Sequence, residues 1–325
     1  MRRLLLALLL PVLALATPAA AQDAWPVRPL TIMSGFPNGS GIDIYARLLA
    51  EPLARALDVP VVIDNRVGAG GNVASDLVAK SRPDGSIVLF GTAGTHAINA
   101  SLYSRLPFDV VADFQPVTLL GDLPNVLLVN PEKTPEIRTC ADLIALARAN
   151  PGKLNYASTG NGASTHLAGA QFAQAAGLQL VHVPYRGGPF AMTALLAGEV
   201  QLFLHQVPPA MGPIAQGQVR ALGVTTRQPV AAIPTVPTME QACALPGFES
   251  TTWYGLFFPA RTPDALVRRL NQAVVAIVRD PEFSAKLIAQ GVTPLTSTPE
   301  EMRAVQISDI AKWREIVQRS GARAE

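Results

Sequence analysis

The chain has 325 residues, 49% hydrophobic and 15% charged, with a mean hydropathy of +0.26. That length exceeds the roughly 250 residues at which single cores divide, so two lobes are expected. Lys and Arg total 26 against 24 Asp and Glu. No like charges cluster, which excludes the basic footprint of a nucleic-acid binder and a polybasic membrane patch.

Met1, Arg2 and Arg3 make a short basic start, Leu4 to Ala16 an apolar run interrupted by Pro11, and Ala19-Ala20-Ala21 a small-residue cleavage site. This is the layout of a secretory signal peptide over residues 1–21, cleaved near Ala21. The run is short of the roughly 20 residues a membrane span needs. Losing Arg2 and Arg3 brings the exported chain to formal neutrality.

Downstream, short apolar runs alternate with helical periodicity. Leu30–Ser34 predicts a strand, Ile42–Leu57 a helix that Pro52 should kink or shorten, and Val61–Ile63 a strand. A helix through Lys80 and a strand at Ile87–Phe90 follow. This order predicts a parallel sheet. Val117–Leu120 and Val126–Val129 read as two runs split by Asp122–Asn125. The pattern then restarts: helix 141–149, strand 154–157, helix 164–176, strand 180–183, short helix 190–196, and strands 200–204 and 219–224. Trp253–Phe258 is a strand. Pro263–Val278 is an amphipathic helix with Thr262 as N-cap. Helices over 283–290 and 299–318 close the chain, the last opened by a Thr298–Glu301 capping box. The expected domains are therefore lobe 1 at 22–120 plus 221–325 and lobe 2 at 121–220, joined by two crossings.

The two cysteines, Cys140 and Cys243, exclude a disulfide scaffold. They fall in different expected lobes, where a bridge would restrict motion. Cys140 packing at a helix start and Cys243 in a loop is therefore the favoured expectation, with one bridge between them as the alternative. The four histidines have no metal-ligand spacing, and neither metal nor cofactor is expected.

Two segments share one construction. Phe36-Pro37-Asn38-Gly39-Ser40-Gly41-Ile42-Asp43 and Ser158-Thr159-Gly160-Asn161-Gly162-Ala163-Ser164-Thr165-His166 each follow a strand and open a helix. Glycines let backbone approach a ligand. The first amides of a helix lack internal partners, and the helix dipole adds partial positive charge there. Such a loop binds an anion without Lys or Arg. As plain caps, Ser40 or Asp43 would serve one helix and Ser164 the other. A pair of such loops, one per lobe, places a carboxylate between them. Asn65–Asn72 departs from G-x-G-x-x-G spacing at Val73 and reads as a structural turn first and a cleft wall second.

The sequence has no G-x-S-x-G elbow and no H-E-x-x-H. Ser164 and His166 stand two apart on a helix, so their side chains diverge. The protein is therefore expected not to be an enzyme. The alternatives are a hydrolase on the same scaffold, dependent on Ser164, and a ligand-sensing adaptor for a signalling partner.

With these motifs in hand, the chain resembles the periplasmic substrate-binding proteins of tripartite tricarboxylate transporters, the Bug/TctC family. The resemblance spans the exported chain and is carried by WPVRPLTIMSGFPNGSGIDIYARLLA (25–50), VVIDNRVGAGGNVASDLVAKSRPDGSIVLFGTAGTHAINASLY (61–103), NPGKLNYASTGNGASTHLAG (150–169), VHVPYRGGPFAMTALLAGEV (181–200) and LPGFESTTWYGLFFPARTP (245–263), among others. It implies an α/β, two-lobed, type II periplasmic-binding-protein fold, each lobe a mixed, mostly parallel sheet flanked by helices, with a ligand cleft between. It implies a monomer that captures a small carboxylate in the periplasm and delivers it to membrane permease subunits. Residues 36–43 and 158–166 become the two loops that grip the ligand. Thr92, Thr95, His96, Tyr185, Arg186, His205 and Gln206 become the remaining cleft wall. Two positions depart from the family pattern: Ile42 replaces a usual Thr, and His205-Gln206 replaces a common Asp-Asn pair.

Overall fold

A computed structural model describes Trp25, residues 29–320, Arg323 and Ala324. The expected leader lies outside the described residues. The chain begins with β1 (Leu30–Ser34), α1 (Gly41–Leu57), β2 (Val61–Asn65), α2 (Asn72–Ala79) and β3 (Ile87–Thr92). β1 pairs parallel with both β2 and β3, the arrangement the strand–helix alternation predicts. In α1, residues Ile42, Tyr45, Ala46, Leu49, Leu53 and Leu57 fall on one face at helical spacing and bury against this sheet. The helix spans Gly41–Leu57 as expected and is not shortened by the interior Pro52. Leu49, Leu53 and Leu57 are anchored in the core on both sides of it, which offsets the ~3 kcal/mol that an interior proline costs.

A wide turn at Gly94–Ile98 leads into α3 (Asn99–Leu102) and then β4 (Phe114–Val129). Instead of two separate runs, β4 is one strand of 16 residues. Asp122–Asn125 does not turn, because it is held by neighbours: Asp122 pairs with Trp253 and Pro124 with Thr251 of β9 (Thr251–Pro259). The first part of β4 belongs to the lobe 1 sheet. The second part pairs antiparallel with β7 (Leu202–Gln206) and β8 (Arg220–Val224) of lobe 2.

Lobe 2 continues through α4 (Cys140–Ala149), β5 (Asn155–Ser158), α5 (Ser164–Ala176), β6 (Val181–Pro184), α6 (Gly188–Ala197), α7 (Val207–Ala215) and α8 (Met239–Cys243). β5 pairs parallel with β6 and β7. The helix α7 was not expected, since Pro208, Pro209 and Pro213 mask its pattern. Two of those prolines sit in its first turn, where the missing N–H groups have no helical acceptor. The chain ends with α9 (Asp264–Arg279), α10 (Pro281–Ala289), β10 (Thr293–Pro294) and α11 (Pro299–Ser320). Thr262 does not cap α9: its hydroxyl donates to Pro259 O, and Pro263 stands at the N-cap. The capping box of α11 forms, with Thr298 N donating to Glu301 at 2.8 Å and Glu301 N to Thr298 Oγ1 at 3.1 Å.

Two expectations about lobe 2 need correction. Leu222, Met239, Cys243, Leu245 and Phe248 pack in the same cluster as Leu127, Leu143 and Phe172, so residues 221–250 join lobe 2 rather than lobe 1. Cys140 and Cys243 are bonded to each other, with Cα atoms 5.1 Å apart. Both cysteines lie in lobe 2, so the bridge ties α4 to α8 within one body and leaves the interlobe boundary free. Cys243 closes a short helix rather than lying in a loop.

The chain crosses between lobes within β4 and again at Ser250–Thr251. Thr225 fastens the two crossings. Its hydroxyl donates to Ser250 O at 2.7 Å and accepts from Asn125 N at 2.9 Å, while Asn125 Nδ2 donates to Ser250 O at 3.2 Å.

Candidate functional site

The loop from β1 to α1 is built by local capping. Ser40 is the N-cap of α1 and its Oγ accepts from Asp43 N at 3.3 Å. Asp43 Oδ2 in turn accepts from Gly39 N at 2.9 Å and Arg47 Nε at 3.0 Å. Burial works against its charge, but these hydrogen bonds prevail and hold the carboxyl below its usual range. Asp43 Oδ2 is therefore the fastener of the loop, while its Oδ1 has no hydrogen-bond partner among the described residues, and Ile42 lies in the lobe 1 core. Asn65 Nδ2 secures the loop from β2 by donating to Phe36 O at 2.8 Å. Gly39 takes a φ of +77° and, with Asn38, is exposed. A Cβ on Gly35 would lie 2.5 Å from Gly71 Cα, so the backbones of the first and third glycine-rich turns touch.

The loop from β5 to α5 is built differently. Its N-cap is Ala163, which has no capping side chain; Ser164 is the first helical residue and not the cap. Thr165 Oγ1 accepts from Thr159 N at 2.9 Å and pairs with Thr159 Oγ1 at 2.9 Å. Ser158 Oγ lies 2.6 Å from His182 Nε2. His166 Nδ1 accepts from Gly162 N at 3.0 Å, which leaves the ring proton on Nε2. His166 and His182 stack at 3.7 Å with planes 3° apart, and Tyr156 extends the stack. Burial pushes His166 down to about 4, and burial together with His166 pushes His182 down to about 3. The stack is neutral at physiological pH.

The consequence is a matched pair of helix starts. Gly41 N and Ile42 N in lobe 1, and Ser164 N and Thr165 N in lobe 2, find no hydrogen-bond partner among the described residues. Each pair is available to an acceptor from outside.

The loops meet the opposite lobe. Beside Gly41, a Cβ would lie 3.1 Å from Tyr254 Oη and 3.2 Å from Gln206 Oε1. One on Gly187 would lie 3.8 Å from Pro37 Cγ, and Leu102 of lobe 1 fills the space beside Gly162 of lobe 2. Within lobe 2, Gly160 approaches Tyr185 O. Within lobe 1, Gly71 contacts both Phe36 and Thr95. These contacts form a continuous circuit through both lobes, and they bring together residues 36–41, 92–95, 158–166, 185–188 and 206.

Other expected wall residues are placed as follows. Thr92 and Thr95 are buried and exchange hydrogen bonds: Thr92 N to Thr95 Oγ1 at 3.0 Å and Thr95 N to Thr92 Oγ1 at 3.2 Å. His96 is not a wall residue. It is 0% exposed, stacked at 3.9 Å on Phe257, with Nδ1 2.8 Å from Thr95 Oγ1. The wide turn at Gly94–Ile98 carries it into the core. Tyr185 is half-buried and Arg186 exposed. His205 is buried beneath the start of α6 and stacks on Phe203 at 4.4 Å. Tyr254 and Leu102 were missed. Tyr254 lies in a strand whose buried residues run without alternation, and Leu102 lies far from Gly162 in sequence, so no local signal marks either.

Two α/β lobes on a twice-crossed hinge, with uncapped helix starts at their boundary, define a two-lobed solute-binding receptor. The family model of the tripartite tricarboxylate transporter family receptor, TctC, matches residues 45–322. The chain belongs to this family, which comprises substrate-binding receptors and not enzymes. It is 32% identical over 310 residues to BugT of Bordetella pertussis, covering 95% of this chain and 94% of that protein. Rpa4515 of R. palustris, solved with adipate, superimposes with a TM-score of 0.88 at 32% identity, covering 92% of this chain and 99% of that one. MatC of Rhodopseudomonas palustris, solved with bound malate, gives a TM-score of 0.82 at 29% identity, covering 90% and 100%.

Proposed function

We propose that this chain is a periplasmic receptor that captures a small carboxylate between its lobes and hands it to the membrane permease subunits of a tripartite tricarboxylate transporter. One observation carries the reading: two helix starts, one in each lobe, each offering a pair of unpartnered amides at the boundary where the lobes meet. A carboxylate has two oxygens and four acceptor directions, so it accepts from both lobes together. Its affinity for the closed form then exceeds its affinity for either lobe alone, which draws the lobes together. The donors are uncharged, so a carboxylate bound there keeps its negative charge without a buried ion pair. The relatives solved with adipate and malate support this ligand class, and the signal-peptide pattern supports the periplasm.

The test removes one amide. Proline is tolerated at the first position of a helix, and Ala163 already has the extended φ of −60° and ψ of 155° that precedes proline. Ser164→Pro therefore deletes a donor while keeping α5, and Ser164→Ala is its control. A thermal-shift screen of small carboxylates on the wild type comes first; a ligand at about 100 times its Kd adds about 2.7 kcal/mol. Binding is expected to weaken roughly tenfold or more in Ser164→Pro, the scale of one hydrogen bond to a charged group. Equal affinity in both variants would remove the α5 start from the site.

A further inference from the structure

Helix α5 buries two faces, and they belong to different lobes. Ala168, Phe172 and Ala176 recur at a spacing of four and pack with Leu143, Tyr156 and Leu204 in the lobe 2 core. Leu167 stands next to Ala168 and therefore points about 100° away around the helix. It is 0% exposed, yet it does not join that core. It packs in the cluster of Ala97, Ile98, Leu102, Trp253, Trp313 and Val317. Every other buried member of that cluster among the described residues comes from lobe 1. One turn on, Ala170 and Gln171 are half-buried and Gln174 is exposed, so Leu167 is the one large apolar side chain on its face of α5.

The place of Leu167 along the helix matters. Ser164 N and Thr165 N are the open amides at the start of α5. Leu167 comes next. Gln171, one turn further, donates from Nε2 to Glu249 O at 3.1 Å, beside the Ser250–Thr251 crossing. Leu167 thus lies between the hinge and the ligand opening. Leu102, which meets Gly162 from lobe 1, belongs to the same cluster and marks the same seam.

We propose, resting on the receptor reading above, that Leu167 is a positioning residue for ligand capture: closure seats it in lobe 1 and sets the α5 amides against the α1 amides. A swing of lobe 2 about the two crossings withdraws it. Leucine has no polar atom, so it acts through packing and not through a bond to the ligand. Opening returns its side chain to water, which shifts the open–closed equilibrium by about tenfold or more. Apparent affinity scales with the fraction of receptor already in the competent form. Part of the affinity is therefore carried by apolar surface of the protein itself.

The experiment reads the seating directly. The chain has two cysteines, bonded to each other, so Leu167→Cys carries a single free thiol whose reaction with a maleimide reports whether position 167 is covered. The probe ligand is the tightest of succinate, malate and adipate on the wild type. Saturating ligand is expected to slow labelling about tenfold or more. By calorimetric titration, Leu167→Ala is expected to bind about tenfold or more weakly, while the urea midpoint of the unliganded protein moves little. Leu167→Met, which keeps the volume, should bind within about threefold of wild type. Labelling at one rate with and without ligand overturns the proposal, because position 167 then does not respond to closure. A Leu167→Ala variant that keeps its affinity, or that fails to fold, overturns it too, since either outcome makes Leu167 an ordinary core residue. Both failures leave the receptor reading standing. A wild type that binds none of the three acids removes that reading, and the role of Leu167 with it.

Discussion

Leu102 of lobe 1 occupies the space beside Gly162 of lobe 2 where a side chain would otherwise project. Gly162 also takes a φ of +72°, so an L-residue there is strained as well as obstructed. The site is thus sealed by backbone against an apolar side chain of the other lobe. Gly162→Ala is expected to hold the lobes apart. Ligand affinity should fall about tenfold or more, while apo stability falls by about 1–2 kcal/mol, the scale of an L-residue held in the left-handed region. Small-angle scattering with saturating ligand checks the cause, since the variant should keep a larger radius than the liganded wild type.

Thr165 supplies the oxygen that fixes Thr159 N and Thr159 Oγ1. Thr165→Val keeps the shape and leaves the Thr159 amide without its partner. Urea unfolding should show a loss of about 1–3 kcal/mol, the penalty for an unsatisfied buried donor. Carboxylate affinity should fall with it, because the loop that positions Ser164 N is loosened. Unchanged affinity at reduced stability would make Thr165 a purely structural residue.

The Cys140–Cys243 bond closes a loop with a sequence separation of 103 within lobe 2. Reduction, or the Cys140→Ala and Cys243→Ala double variant, should cost about 2–4 kcal/mol. The melting temperature should drop by several degrees. Ligand affinity should change little, since the bond ties α4 to α8 and does not cross the hinge. Mass measurement before and after alkylation under non-reducing conditions checks the bond itself.

Acid should destabilise the protein. His96, His182 and His205 are pushed down to about 3 and His166 to about 4, burial being the largest cause for each. Below pH 6.5, the ordinary histidine value, the unfolded chain takes up protons that the native chain refuses. Their contribution is therefore complete above about pH 6.5 and is lost as pH falls toward about 4 for His166 and about 3 for the other three. Asp122 runs the other way. Burial, aided by the Glu249 charge, raises it to about 6 from 3.8, so the native chain binds the extra proton between those values and gains on acidification. Four imidazoles outweigh one carboxyl. The enclosed His96 and His205 each contribute up to about 1.4 kcal/mol per pH unit below 6.5. The melting temperature should fall between about pH 7 and about pH 5. A rise over that interval would refute the neutral burial of these rings. Carboxylate affinity itself should stay level from about pH 6 to about pH 8, since amides and neutral histidines do not titrate there.

Much of the fold was legible because its signals are local. The strand at Leu30–Ser34, the helix at Ser164–Ala176 and the capping box at Thr298–Glu301 each follow from neighbours a few residues apart. The errors arose where distant chain decides. Asp122–Asn125 looks like a break until Trp253 and Thr251 pair with it. His96 looks like a wall residue until the turn at Gly94–Ile98 rolls it onto Phe257. Residues 221–250 look like a return to lobe 1 until Thr225 is seen fastened to Asn125 and Ser250.

By itself the sequence determined the order of strands and helices, the family to which the chain belongs and the two glycine-rich openings, because periodicity, capping and turn chemistry act over a few residues. Only the tertiary structure decided that Cys140 bonds Cys243, that Gly41 faces Gln206, and that His205 sits unpartnered under Gly188. Those facts depend on which surfaces meet after long loops close, and loop closure leaves no trace in local composition.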